Sequence, residues 1–143
     1  MANKIQLEIV SPQKVVYTTE VDMLIVRSTD GELGILPRHL PLVAGLVPHA
    51  MRAIIDGNEQ LIAVSGGFIE VQPAKITVLA SAAELPIQID IYRAQKAYER
   101  ARKRIEAFRA KKADAKDIDM YRAEAALNRA KARLQATKTK IEA

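Results

Sequence analysis

Ile89-Asp90-Ile91-Tyr92-Arg93-Ala94 and Ile118-Asp119-Met120-Tyr121-Arg122-Ala123 are one hexapeptide pattern written twice near the end of the chain. Each copy opens a stretch without Gly or Pro, and 14 of the residues after Asp90 are Ala. Helix propensity there is about as high as natural sequences reach. In each copy the Asp is placed to accept hydrogen bonds from the free N–H groups of a first helical turn, with the preceding Ile as a hydrophobic staple. The repeat therefore reads as two helix starts.

Apolar residues continue each start at spacings of three and four. Ile91, Ala94, Tyr98, Ala101, Ile105 and Phe108 form one stripe; Met120, Ala123, Leu127, Ala130, Leu134, Thr137 and Ile141 form the other. The intervening Lys111-Lys112-Ala113-Asp114-Ala115-Lys116-Asp117 has no apolar partner for either stripe. Two helices joined by a short polar link fold back antiparallel. Their seam alternates large residues with Ala, which permits close approach but buries little, each missing methylene forgoing about 0.8 kcal/mol. Such a hairpin meets the requirement for a bistable element: it opens without melting its helices.

Towards the N-terminus the pattern changes. Ile5, Leu7 and Ile9 alternate with Gln6 and Glu8, the signature of a half-buried strand. Short β-prone runs follow at Val15 to Tyr17, Val21 to Val26, Gly34 to Leu36, Ala50 to Ile55, Gln60 to Ser65, Phe68 to Val71 and Lys75 to Leu79. Asp56-Gly57 between two of them is a hairpin turn signal. Strands at this spacing predict a sandwich or barrel. Residues 1–85 carry 6 Lys/Arg against 9 Asp/Glu, residues 86–143 carry 16 against 8, and all six Gly precede residue 68. The chain is thus expected to be α+β: a β domain over 1–85 and a basic helical hairpin over 86–143.

Composition removes several functions. Cys is absent and His39 and His49 are the only histidines, so thiolate chemistry is excluded and an imidazole-rich metal site is not expected. The motifs of phosphate loops, dinucleotide folds, zinc proteases and serine hydrolases are missing. No enzyme is expected. MANKIQLEIV has no uninterrupted apolar core, and no stretch approaches the ~18 apolar residues of a membrane span.

Two groups of residues stand out as candidate contacts. Gly31-Glu32-Leu33-Gly34-Ile35-Leu36-Pro37-Arg38-His39-Leu40-Pro41-Leu42 is either a pair of tight turns joined by an edge strand or a shaped loop offering Glu32, Arg38 and His39 to a partner. On the helices, Arg93 and Arg100 fall on one line, and Arg122, Arg129 and Arg133 share a face roughly 100–140° from the seam. That basic surface is either simply solvated or meets an acidic protein surface, a nucleic acid or a nucleotide phosphate.

The Gly31 to Leu42 segment, Ser65-Gly66-Gly67-Phe68-Ile69-Glu70-Val71 and the Asp90-led repeat together resemble the epsilon-subunit family of bacterial F-type ATP synthases, in order and along essentially the whole chain. The resemblance implies a ten-stranded β-sandwich followed by an α-helical hairpin. It implies a non-catalytic rotor-stalk subunit, peripheral on the cytoplasmic side of the membrane. Its expected partners are the gamma subunit and the c-ring, with Glu32, Arg38 and His39 facing them, and the catalytic alpha and beta subunits when the hairpin extends to inhibit ATP hydrolysis.

No cofactor is implied, but some members bind ATP as a regulatory ligand through an I/L-D-x-x-R-A motif, which Ile89 to Ala94 fits. By that resemblance Glu84 and Asp90 approach base and ribose, and Arg93, Arg100, Arg129 and Arg133 approach the phosphates, with Ile89 and Ala94 completing the motif. The link over about residues 103–117 is longer and more Lys-rich than in those members, and it sets the register of Arg129 and Arg133 against Arg93. Two alternatives of other classes are a nucleic-acid-binding protein with a basic helical arm, which lacks aromatic platforms, and a static helical scaffold.

Overall fold

Ile5, Leu7 and Ile9 are buried in a computed structural model that describes residues 3–111 and 118–139. They belong to β1 (Ile5–Val10), the first of ten strands. The others are β2 (Val15–Val21), β3 (Met23–Ser28), β4 (Gly31–Ile35), β5 (Leu42–Leu46), β6 (His49–Ile55), β7 (Asn58–Val64), β8 (Gly67–Val71), β9 (Lys75–Ala80) and β10 (Ala83–Glu84). A 3-10 turn at Pro86–Gln88 leads into α1 (Ile91–Arg109), and α2 (Met120–Ala136) follows.

Strands pair in the order β10-β7-β6-β3-β5-β8-β9-β1-β2, with β4 on the free side of β3. All these pairings are antiparallel except β1 with β9. The path crosses between its halves at one register pair, Ser28 with Leu46. Two layers result, and Leu7, Ile9, Leu24, Val26, Met51, Ile62, Ile69 and Ile76 fill the space between them. This is the expected ten-stranded sandwich with a helical hairpin after it.

Several strand boundaries depart from expectation, and β2, β4 and β5 do so most. The run Val21 to Val26 is two strands, broken at Asp22. The Asp22 carboxylate accepts the Asp56 N–H at 2.7 Å and pairs with Lys4 at 3.1 Å, tying the β2–β3 corner to the β6–β7 turn. Those two contacts hold its carboxyl below the usual carboxylate range. Strand β4 begins at Gly31 rather than Gly34. At Gly34 an added Cβ would lie 2.6 Å from the Met23 side chain, so this glycine marks close strand contact and not a turn. Strand β5 carries no sequence signature, because Leu42-Val43-Ala44-Gly45-Leu46 has no polar alternation to reveal it. The Asp56-Gly57 turn is as expected, with φ of 50° and 79°.

Both helices start where the repeat predicts. Asp90 accepts the Arg93 N–H at 3.1 Å and Asp119 accepts the Arg122 N–H at 3.2 Å. Helix α1 runs to Arg109, so the first seven residues of the expected 103–117 link are helical. Lys112 to Asp117 and Ile141 lie outside the described residues. Thr137 is a terminator instead of a seam residue: its Oγ1 lies 3.2 Å from the Arg133 carbonyl oxygen, at the helix C-cap.

Helix α2 is buried on two sides. At about 100° per residue, Ala123, Ala130 and Leu134 share one side, and Ala132 and Ala136 lie on the opposite side; all five are buried. The second stripe reflects contact with the sandwich, since α2 packs on β6 and β7 as well as on α1. Ala50, Leu61 and Ala63 on the outer faces of those strands join Ile89, Ala94, Leu134 and Ala136 in a cluster separate from the sandwich core.

That separation has a measurable consequence. Leu134→Ala is expected to weaken the docked hairpin by about 2–5 kcal/mol while sparing the sandwich. Hydrogen exchange should then accelerate in α1 and α2 while β1 and β9 amides keep their protection; parallel loss in both parts would contradict separate cores.

Candidate functional site

Where the hairpin meets the end of the sandwich, a cleft of about 340 Å³ opens between the 3-10 turn, the first half of α1 and the end of α2. It is lined by Glu84, Asp90, Arg93, Ala94, Arg100 and Arg133, six of the eight residues expected to bind nucleotide, together with Gln88, Lys96 and Ala97. Its volume is at the lower end of small-molecule sites.

Each element positions its contribution for a local reason. Strand β10 pairs with β7 through Glu84 and Ala63, which fixes the Glu84 side chain at the sandwich edge. Pro86 starts the 3-10 turn and Ile89 ends it, with the Ile89 N–H donating to the Pro86 carbonyl at 3.1 Å. Ile89 then drops into the apolar cluster under the hairpin and does not line the cleft. In the motif it is an anchor, and the Asp beside it is the cap of α1.

Arg133 is already engaged. Its Nε donates to Glu84 Oε1 at 2.6 Å, joining the last turn of α2 to β10, with both side chains about two-thirds buried. It is therefore not among the outward arginines that the helix geometry alone predicts. Arg93 and Arg100 are exposed. Lys96 lies 4.6 Å from the centre of the Tyr92 ring. The cleft thus sets four cations against two carboxylates, a surplus suited to a polyphosphate. The N–H groups of the first turn of α1 are partly answered by Asp90, so an anion there relies on side chains more than on the helix terminus.

Arg129 is exposed on α2 and lies outside the cleft. It sits one turn before Arg133, farther from Glu84. Lys96 and Gln88 also line the cleft beyond the expected set; the sequence signal for Lys96 is its place three residues after Arg93 on the same helix face.

Glu32, Arg38 and His39 are split. Glu32 is exposed on β4, opposite Arg27, instead of in a loop. Arg38 takes φ 64° in the β4–β5 connection and donates its N–H to Pro73 O at 3.0 Å. His39 Nδ1 donates to the Leu40 carbonyl at 2.7 Å, which fixes its tautomer. Three residues of strand separate Glu32 from the end of β4, about 10 Å. They occupy two separate places on the sandwich rather than one.

The other outer face of the sandwich carries an exposed apolar row beside the Glu8–Lys75 pair. Gly45 pairs with Phe68, Phe68 with Leu79, Leu79 with Val10 and Val10 with Val15, so one row of outward positions crosses β5, β8, β9, β1 and β2. Phe68 is 60% exposed, Leu79 51% and Val15 54%, and Val43 beside them 70%. Large exposed apolar groups gathered in this way mark an interaction surface.

Comparison with known proteins accounts for both halves. The family model for the ATP synthase delta/epsilon chain β-sandwich domain matches residues 4–86, and that for its long α-helix domain matches residues 88–138. The chain belongs to the ATP synthase delta/epsilon-chain family. It is 50% identical to the ATP synthase epsilon chain of Alkalihalophilus pseudofirmus over 78% of this chain and 84% of that one. The epsilon chain of Halalkalibacterium halodurans is 48% identical over the same shares. That of Carboxydothermus hydrogenoformans is 48% identical over 73% of this chain and 78% of its own.

The fold also matches solved structures. A chain of the Euglena gracilis mitochondrial ATP synthase, comprising OSCP, F1 and c-ring, superposes with a TM-score of 0.74 at 23% identity, covering 94% of this chain and 81% of that one. A chain of the Tetrahymena thermophila mitochondrial ATP synthase central stalk and c-ring gives 0.57 at 14% identity, covering 94% and 97%. Among the described residues no helix is long and apolar enough to cross a membrane, and no cluster of His, Asp and Glu has the make-up of a metal site.

Proposed function

We propose that this chain is a non-catalytic rotor-stalk subunit of a bacterial F-type ATP synthase, in two parts: a docking sandwich over 1–85 and a regulatory hairpin over 86–143. The apolar row Phe68, Leu79, Val10 and Val15 carries the docking half of the proposal. Of the two outer faces of the sandwich, one is covered by α2 and the other is left for a partner. A gamma-type stalk subunit covers that face, while Glu32, Arg38 and His39 meet gamma and the c-ring at the sandwich edges. This chain lies peripherally on the cytoplasmic side of the membrane as part of the complex.

The hairpin works as a brake. When it leaves the sandwich, its exposed Arg93, Arg100, Arg122 and Arg129 reach an acidic surface on the catalytic alpha and beta subunits and slow ATP hydrolysis. ATP in the Glu84–Arg133 cleft favours the docked form, because the cleft is assembled from β10, α1 and α2 together. A static scaffold is the second reading, favoured by the burial of Ala132 and Ala136 against the sandwich side of α2.

Phe68→Asp should leave the isolated chain folded, since the side chain is 60% exposed, yet prevent its co-purification with the reconstituted stalk; normal incorporation would remove the proposed docking face. Titration calorimetry of the isolated subunit with ATP should give a binding heat. Arg93→Ala should weaken it at least about tenfold, the scale of a charge-assisted hydrogen bond, and Arg129→Ala should weaken it less. No heat at millimolar ATP, with wild type and Arg93→Ala alike, would sink the nucleotide role.

A further inference from the structure

The opposite edge of α2 carries a second cleft. Asn128, Lys131 and Gln135 follow one another at spacings of three and four along this edge, roughly 140–200° around the helix from Arg133. Across from them stand Arg27 near the end of β3, Thr29 at the β3–β4 turn and His49 at the start of β6, and a cavity of about 520 Å³ lies between.

One wall is held firmly. The Ser28 hydroxyl donates to the Gly31 carbonyl at 2.7 Å and accepts the Asp30 N–H at 3.1 Å. Thr29 N–H donates to Gly45 O at 3.0 Å, and Val47 N–H donates to Arg27 O at 3.2 Å. The cations facing this wall are not similarly satisfied. Among the described residues neither Arg27 nor Lys131 makes a side-chain hydrogen bond or ion pair. The buried Gln135 amide oxygen has no hydrogen-bond partner either.

We propose that this cavity binds phosphate, as the free ion or as the phosphate chain of a nucleotide, between Arg27 and His49 of the sandwich and Lys131 of α2. Two unpaired cations converging from different elements, with a histidine between them, have the charge and the donors that a phosphate dianion needs. The Gln135 amide, turned about its last torsion, adds a donor in place of its unpaired acceptor. Glu32 is the carboxylate that acts on His49 and opposes the ligand; across the strands it stands opposite Arg27.

The histidine reports on occupancy. Burial lowers the pKa of His49, Arg27 and Lys131 lower it further, and Glu32 acts the other way. A bound phosphate reverses the local field and stabilises the imidazolium. Because the ligand touches both sandwich and hairpin, it binds the docked form alone and holds it. The site does not depend on the nucleotide cleft, which shares no lining residue with it.

The test uses the full chain and proton NMR of the two histidines, titrated against pH in a sulfonate buffer with and without inorganic phosphate. His49 should titrate about one unit higher with phosphate, His39 should stay in place, and α2 amides should exchange more slowly. Arg27→Ala, Lys131→Ala and Asn128→Asp, the last placing a carboxylate at an exposed helix position, should each abolish the shift; Arg93→Ala should keep it. In Arg93→Ala, a shift with ATP but not phosphate assigns the cavity to a nucleotide phosphate chain, and a shift with phosphate alone to the free ion. The proposal is overturned if neither ligand moves His49. Equal movement of both histidines, reproduction of the shift by chloride at matched ionic strength, or its survival in Lys131→Ala would also overturn it.

Discussion

Leu134 and Ala136 of α2 share one buried cluster with Ala50, Leu61 and Ala63 of the sheet, and the remaining geometry of the hairpin follows from that packing. It is built mostly from alanine, so backbones approach closely while little apolar area is gained. It turns α2 so that one side faces α1, the opposite side faces the sheet, and the two edges between them stay open. Arg133 on one edge is thereby brought to Glu84, and Lys131 on the other towards His49. Neither arrangement exists unless the helix is docked.

A contact with these properties is suited to switching. The sandwich core and the docking cluster share no residue, so the hairpin can leave without disturbing the sandwich. The helices carry their own caps at Asp90 and Asp119 and keep high intrinsic propensity. Electrostatics cut both ways across the interface. Glu84–Arg133 draws it together, whereas Arg27 on the sandwich and Lys131 on α2 place like charge on its two sides. An anion taken up on either edge answers cations from more than one element and so favours closure.

Much of this was legible in the sequence because it rests on local rules. The two Asp-led helix starts, the Asp56-Gly57 hairpin and the alternation at Ile5 to Ile9 each declare themselves within a few residues. What escaped depends on contacts distant in sequence. Asp22 breaks a β-prone run because Asp56, thirty-four residues on, hands it an N–H. Strand β5 is apolar throughout and shows no period. The second buried stripe of α2 consists of Ala132 and Ala136, which in an Ala-rich helix look like filler until the sheet is seen beneath them. The cleft was mostly foreseen, but periodicity alone could not show that Arg133 turns inward to Glu84, nor that Arg129 falls outside.

The central claim is that the docked hairpin is the released brake and its departure from the sandwich applies it. The direct measurement is ATP hydrolysis by the reconstituted complex when the hairpin is held down. A disulfide engineered between β6 and α2, in a chain that has no cysteine of its own, gives one sample that can be oxidised and reduced. Faster hydrolysis in the oxidised form, falling on reduction, is the predicted result. Equal rates in the two forms would contradict it and leave the hairpin a static scaffold.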